Sequence, residues 1–134
     1  MSTKQFRAAV TAEVVAWAAA NFPAIPVIYE NGPVPDEDKI GNIFIDLELR
    51  FYSATTKTLG EGGMGRHSGA IALSVFYREA AGTGLVDDVV DSAKGTMRLR
   101  RIGGGIVKFP QRTVPTNIKG WYKSGLLFPF TLDE

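Results

Sequence analysis

Apolar residues recur along this chain at two different periods. Phe6, Val10, Val14 and Trp17 fall three or four positions apart among helix-favouring alanines, which predicts an amphipathic helix from about Thr3 to Ala20. Ser2 and Gln5 have the spacing of a capping box ahead of it, and Asn21, Phe22 and Pro23 end it. A short strand is predicted around Val27 to Tyr29, followed by a turn-rich, acidic connection, "ENGPVPDEDK".

The period then changes to two. Ile43, Ile45, Leu47, Leu49 and Phe51 share one face of a predicted strand, with Asp46, Glu48 and Arg50 on the other. Ile71, Leu73, Val75 and Tyr77 repeat the pattern, opposite Ala70, Ala72, Ser74 and Arg78. Between them "LGEGGMGRHSGA" contains Gly60-x-Gly62-x-x-Gly65, the spacing of a dinucleotide-binding loop. That fingerprint works only when a helix opens directly behind it, because the helix N-terminus receives the pyrophosphate. Here the pattern predicts a strand instead, so the two strands read as a long hairpin with a mobile loop over Gly60 to Gly69.

A second helix is predicted over "AAGTGLVDDVVDSAKGTMRLRR", capped by Thr83, with Leu85, Val86, Val89, Val90, Ala93 and Met97 as its apolar stripe and Lys94, Arg98, Arg100 and Arg101 in its second half. Beyond Gly103, Gly104 and Gly105, the segments "IVKFP", "RTVPTNI" and "GWYKSGLLFPFTLDE" read as strands, the last with Tyr122, Leu126, Phe128 and Phe130 facing the core. Pro110, Pro115 and Pro129 remove ladder donors and predict edges or bulges rather than uninterrupted central strands. The order of elements predicts a single α+β domain over residues 1–134: a mostly antiparallel sheet with a long β-hairpin and two main helices on one face.

Composition adds limits. At 134 residues the chain suits one domain, and 45% hydrophobic with 22% charged residues is ordinary for a soluble protein. Its longest apolar run is far below the ~18 residues of a membrane span, and the charged N-terminus does not resemble a secretory signal. The absence of cysteine excludes disulfides, thiolate zinc sites and a cysteine nucleophile.

A net charge of +1 conceals segregation. Nine acids fall at Glu30, Asp36, Glu37, Asp38, Asp46, Glu48, Asp87, Asp88 and Asp91, whereas between Asp91 and Asp133 every charged residue, from Lys94 to Lys123, is basic. Such an arrangement fits a solvated surface, a basic face for nucleic acid, or complementary faces of a self-associating subunit. On the second helix, acids early and bases late also complement the helix dipole.

Candidate chemistry is sparse. His67 is the single histidine, and no spacing proposes further metal ligands around it. Ser68 beside it lacks a nucleophile elbow and an orienting carboxylate. Asp46 and Glu48 share a strand face and can in principle share a proton or a divalent cation, but beside Arg50 a water-facing role is commoner. Asp87, Asp88 and Asp91 offer too few oxygens for a firm Mg²⁺ site. Trp121 and Lys123 form only a thin platform for stacked bases. No catalytic constellation emerges, which favours a protein that binds other macromolecules.

The ordered combination of "RHSGAIALSVFY", "AGTGLVDDVVDSAKG" and "VKFPQRTVPTNIKGWYKSGLLFPF" resembles the tail terminator, or tail completion, proteins of long-tailed bacteriophages, including a phage-related family of unknown function. The most specific parts are Arg66-His67-x-Gly69, Gly82-x-Gly84 and Gly120-Trp121-Tyr122. The resemblance spans nearly the whole chain. It implies a structural virion protein without enzyme activity or resident cofactor, with at most a weak divalent-cation effect on assembly. It implies a homo-oligomeric ring, expected to be a hexamer, on the end of the tail tube. That ring ends tube polymerisation and offers the head-tail joining surface. Expected partners are further copies of the chain, the tail tube protein and a head-tail connector, with no membrane, and the expected location is the virion tail, assembled in the host cytoplasm. Arg66 and His67 in the loop, with Asp46, Glu48 and Arg50 on the outward strand face, are the expected protein contacts. The alternatives are a nucleic-acid-binding module or a head-side stopper.

Overall fold

The computed structural model describes residues 3–29, 41–56, 65–78, 82–98, 100–113, 115–118 and 120–133. The capping Ser2, the acidic connection 30–40, and Gly60 and Gly62 lie outside them. Chain order is α1 (Thr3–Asn21), β1 (Val27–Tyr29), β2 (Ile43–Thr56), β3 (Gly65–Tyr77), α2 (Thr83–Met97), β4 (Arg100–Ile102), β5 (Gly105–Val107), β6 (Gln111–Arg112), β7 (Thr116–Ile118) and β8 (Trp121–Asp133).

The eight strands form one sheet in the order β1-β2-β3-β8-β5-β4, with β6 and β7 also paired to β8. Among the described residues, β1 runs parallel to its neighbour and every other pairing is antiparallel. The fold is therefore α+β, as the element order predicts.

Alternation sends Ile45, Leu47 and Leu49 of β2, Ile71, Leu73 and Val75 of β3, and Leu126, Phe128, Phe130 and Leu132 of β8 to one face. Both helices cover that face. Phe6, Val10, Val14 and Trp17 of α1 join Val86, Val89, Val90, Ala93 and Met97 of α2 in the same core. Leu85 departs from the predicted stripe: it is exposed, because Val86, Val89, Val90 and Ala93 already define a face one position further on. The two helices are tied to each other where Trp17 Nε1 donates to Ser92 Oγ at 3.0 Å.

Three predicted features are corrected. Thr83 is the first helical residue rather than the cap; Gly82, at φ 76°, is the cap and supplies no side-chain acceptor. The helix ends at Met97, so Arg100 and Arg101 lie in β4 and do not extend a basic helix end. The hairpin strands are longer than periodicity predicts, and residues 65–69, expected in a mobile loop, belong to β3. A strand, not a helix, follows Gly65, so no phosphate-cradling helix entrance exists there.

Two glycines are required by close approach. A Cβ at Gly69 would overlap the Arg50 carbonyl oxygen and lie 2.9 Å from the Phe130 ring, at a point where the β2–β3 register shifts between Phe51 and Ser53. Above Gly69, Phe51 and Phe130 meet edge to face with centroids 5.4 Å apart. A Cβ at Gly105 would overlap the ring of Phe6, which instead lies against β5 and packs at a tilt on Phe130, with centroids 4.6 Å apart.

The prolines act as expected in one place and not in another. Strands β5, β6 and β7 lie one after another along the same edge of β8, as one broken strand. From Val107 to Gln111 it advances four residues against three on β8, and again from Arg112 to Thr116. Pro110 and Pro115 fall in these two interruptions, each equivalent to a one-residue bulge. Pro129, however, sits inside β8, a central strand. Its carbonyl accepts from Lys108 N at 2.7 Å, so its nitrogen faces the same side, and the proline gives up only the return bond to the Lys108 carbonyl, at the start of the interruption between β5 and β6.

Candidate protein-interaction surface

The opposite face of the sheet carries neither helix. It is built from the alternate residues of three long strands: Phe44, Asp46, Glu48 and Arg50 of β2; Ala70, Ala72, Ser74 and Phe76 of β3; Trp121, Lys123, Leu127 and Pro129 of β8. Small residues on central β3 let long side chains from both neighbours close over it, which is why Ala70, Ala72 and Ser74 are buried on a face no helix covers.

One end of this face is aromatic. Phe44 and Phe76 stack with centroids 4.8 Å apart and planes 8° from parallel, and Trp121 meets Phe44 edge-on at 5.1 Å. Arg78 lies 4.2 Å over the Trp121 ring and Lys123 lies 5.6 Å from Phe76. Alternation alone identifies Trp121 and Lys123; Phe44 and Phe76 escape it because, as single aromatics between apolar neighbours, they read as core. The signal that could have found them is their place opposite each other on the polar face of the hairpin.

Next to this cluster, Asp46, Glu48 and Arg50 are half-buried. Arg50 Nε and Nη2 donate to the two Glu48 carboxylate oxygens at 3.3 and 3.4 Å. Asp46 has its pKa raised, first by burial and then by Glu48, while Lys123 and Arg50 oppose the shift. The far end of the face holds Arg66, which donates to both Asp133 oxygens at 2.8 and 3.2 Å across directly paired positions of β3 and β8.

The five expected contact residues therefore divide. Asp46, Glu48, Arg50 and Arg66 share the helix-free face, while His67, paired in register with Leu132, belongs to the helix-bearing side. Arg66 and His67 are strand residues, not loop residues. Ser68 and His67 project to opposite faces, which removes a serine–histidine dyad.

The charge segregation is partly satisfied within the subunit. Arg100 pairs with Glu13 at 3.1 Å and Arg112 with Asp87 at 2.9 Å, so late cations already meet early acids. Lys123 lies on the helix-free face, whereas Lys94 and Arg98 lie over Phe109 on the helix side. The basic stretch consequently does not make one continuous surface. On the helix-free face one side of each neighbouring aromatic is engaged too, Trp121 by Arg78 and Phe76 by Phe44.

Among the described residues no group of three or more His, Cys, Asp or Glu is placed to share a metal ion, and no helix is long and apolar enough to cross a membrane. Asp87, one of the acids considered for Mg²⁺, is held by Arg112.

No family model matches the chain, and no curated protein matches it. A solved structure whose name describes no function superposes over 98% of this chain and 95% of its own, with a TM-score of 0.75 at 16% identity. At that identity the likeness concerns the fold alone: the whole architecture, both helices and the sheet, recurs in another protein.

Proposed function

We propose that this chain is a structural subunit of a bacteriophage tail terminator, forming a ring on the end of the tail tube that stops polymerisation and presents a joining surface to the head. The observation that carries the reading is the helix-free sheet face, where apolar, aromatic and charged side chains are already ordered against one another. A surface held in place by its own contacts loses little entropy on docking a protein. The sequence resemblance supplies the identity of the partner, and the α+β fold agrees with it. A nucleic-acid module is less well supported, because two of the late arginines are paired internally and the remaining cations are split between faces.

Purified tail tubes test this. Added to growing tubes, the protein is expected to arrest elongation and to appear as a ring at one end by electron microscopy. Trp121→Ala together with Asp46→Lys should abolish capping while leaving the circular dichroism spectrum unchanged. A wild-type protein that leaves tube length unaltered at excess concentration would remove the reading.

A further inference from the structure

Strand register sorts the helix-free face into cross-strand rows. Phe44, Phe76 and Lys123 form one row, and Glu48, Ala72 and Leu127 another. Between them run Ile28, Asp46, Ser74 and Gly125. Ser74 is buried and Gly125 has no side chain, so on this row the Asp46 carboxylate has only small neighbours toward β8.

Glu48 and Asp133, on the same face, are held by Arg50 and Arg66. Asp46 differs. It is half-buried, and no hydrogen bond or ion pair from the described residues reaches its carboxylate. The charged groups facing it are Glu48 and Arg50 on its own strand and Lys123 on β8, while β1 and β3 offer only Ile28 and Ser74 across from it. Arg50 is engaged by Glu48, and Lys123 lies 5.6 Å from the Phe76 ring. Their attraction does not outweigh burial and Glu48, which together raise the carboxyl's pKa.

A docked protein would strip the remaining water from this group, and the charge must then be met by a cation or removed by a proton. Charge complementarity favours the cation, because the Glu48 charge that opposes ionisation of Asp46 also attracts a positive group. A guanidinium suits the place better than an ammonium: it is weakly hydrated, bonds both carboxylate oxygens, and lies flat against rings such as that of Phe44, two positions away on the same strand face. The face already holds such a contact, Arg78 over Trp121 at 4.2 Å.

We propose that the protein docking on the helix-free face inserts an arginine between its aromatic and apolar rows and pairs the guanidinium with Asp46. This gives the chemistry of the partner at the surface described above; it rests on the terminator reading for which protein docks, though not for the socket itself.

Two measurements separate the socket from its user. N-acetyl-arginine amide, titrated against the whole protein, should shift the NMR signals of the Asp46 carboxyl carbon and of the Phe44, Asp46 and Ser74 amides. The uncharged isostere N-acetyl-citrulline amide should not, and Asp46→Asn should abolish the response. An arginine amide that moves these signals no more than citrulline overturns the socket, whether or not tubes are capped. In the capping assay, Asp46→Asn should raise the concentration that arrests elongation at least about tenfold at neutral pH, as for loss of an interfacial charge pair. That difference should close as pH falls through the raised pKa of Asp46, where the wild-type group is neutral too. Unchanged circular dichroism shows that the variant folds. An asparagine variant that caps as well as wild type or better means that Asp46 takes up a proton against an apolar partner, which overturns the arginine and leaves the terminator reading. A response to arginine amide without tube capping retains the socket and removes the terminator reading.

Discussion

Gly69 and Gly105 look alike in sequence yet are constrained by different things, and alanine substitution separates them. At Gly105 the added methyl overlaps a ring edge of Phe6. Phe6 is fully buried and held at 4.6 Å by Phe130, so it yields only by repacking, at a cost of about 1–3 kcal/mol. At Gly69 the main obstacle is the Arg50 carbonyl, part of the β2 backbone itself. Relief requires moving β2 away from β3 at the register shift, adding the loss of one or two ladder hydrogen bonds at about 1 kcal/mol each. Removing a glycine from the unfolded ensemble returns about 0.4–1 kcal/mol in both cases, too little to change either sign. Net losses of about 1–2 kcal/mol for Gly105→Ala and about 3–4 kcal/mol for Gly69→Ala follow. For a chain of this length each kilocalorie lowers Tm by roughly 3–5 °C. Thermal and urea unfolding followed by circular dichroism measure both. The decisive comparison is rescue: Phe6→Leu should recover most of the Gly105→Ala loss relative to its own background, whereas Phe130→Leu should not recover Gly69→Ala. A Gly69→Ala protein melting within 2 °C of wild type, by roughly the conversion above, or one rescued through Phe130, would refute the backbone argument.

Asp46→Asn should raise stability near neutral pH. The folded state holds the Asp46 proton more tightly than the unfolded chain, so its carboxylate costs stability as pH rises through the raised pKa, and the gain from asparagine should vanish below the ordinary aspartate range; equal gains in unfolding titrations at pH 3 and pH 7 would contradict this. Trp17→Phe removes the donor to Ser92 and part of a buried ring, and should cost about 1–3 kcal/mol by urea denaturation, with Ser92→Ala adding little once Trp17→Phe is in place. Pro129→Ala should change stability by no more than about 1 kcal/mol, because the restored N–H can return the bond to the Lys108 carbonyl while the unfolded chain regains the freedom that proline had removed; a shift of more than about 2 kcal/mol in urea unfolding would contradict this balance.

Periodicity reveals most of the fold because both periods are strict where one face is buried. The core stripes of β2 and β3, and of β8 from Leu126 onward, follow directly from it, whereas Tyr122, expected in the core, is exposed. It is blind where pairing, not patterning, decides. The extension of β3 back to Gly65 depends on cross-strand partners such as Arg66 with Asp133, far apart in the chain. β4 reads as helix because Arg100 and Arg101 continue a charge pattern that the backbone abandons after Met97. Of the interaction surface, Asp46, Glu48 and Arg50 are legible as the polar face of an alternating strand. Phe44 and Phe76 are not, since only the register sets them side by side. The internal ion pairs of Arg100 and Arg112 join residues 87 and 25 positions apart, beyond the reach of any local rule.

The broken strand along β8 has a consequence for how this chain tolerates changes in length. Its three segments take their alignment separately from one continuous thirteen-residue strand, which serves as a ruler. Adding or removing a residue within β8 would turn side chains inside out along β3 as well as along all three short partners. The spacers around Pro110 and Pro115 already absorb one surplus residue each, so a peptide epitope inserted at either would leave the facing of its neighbours intact.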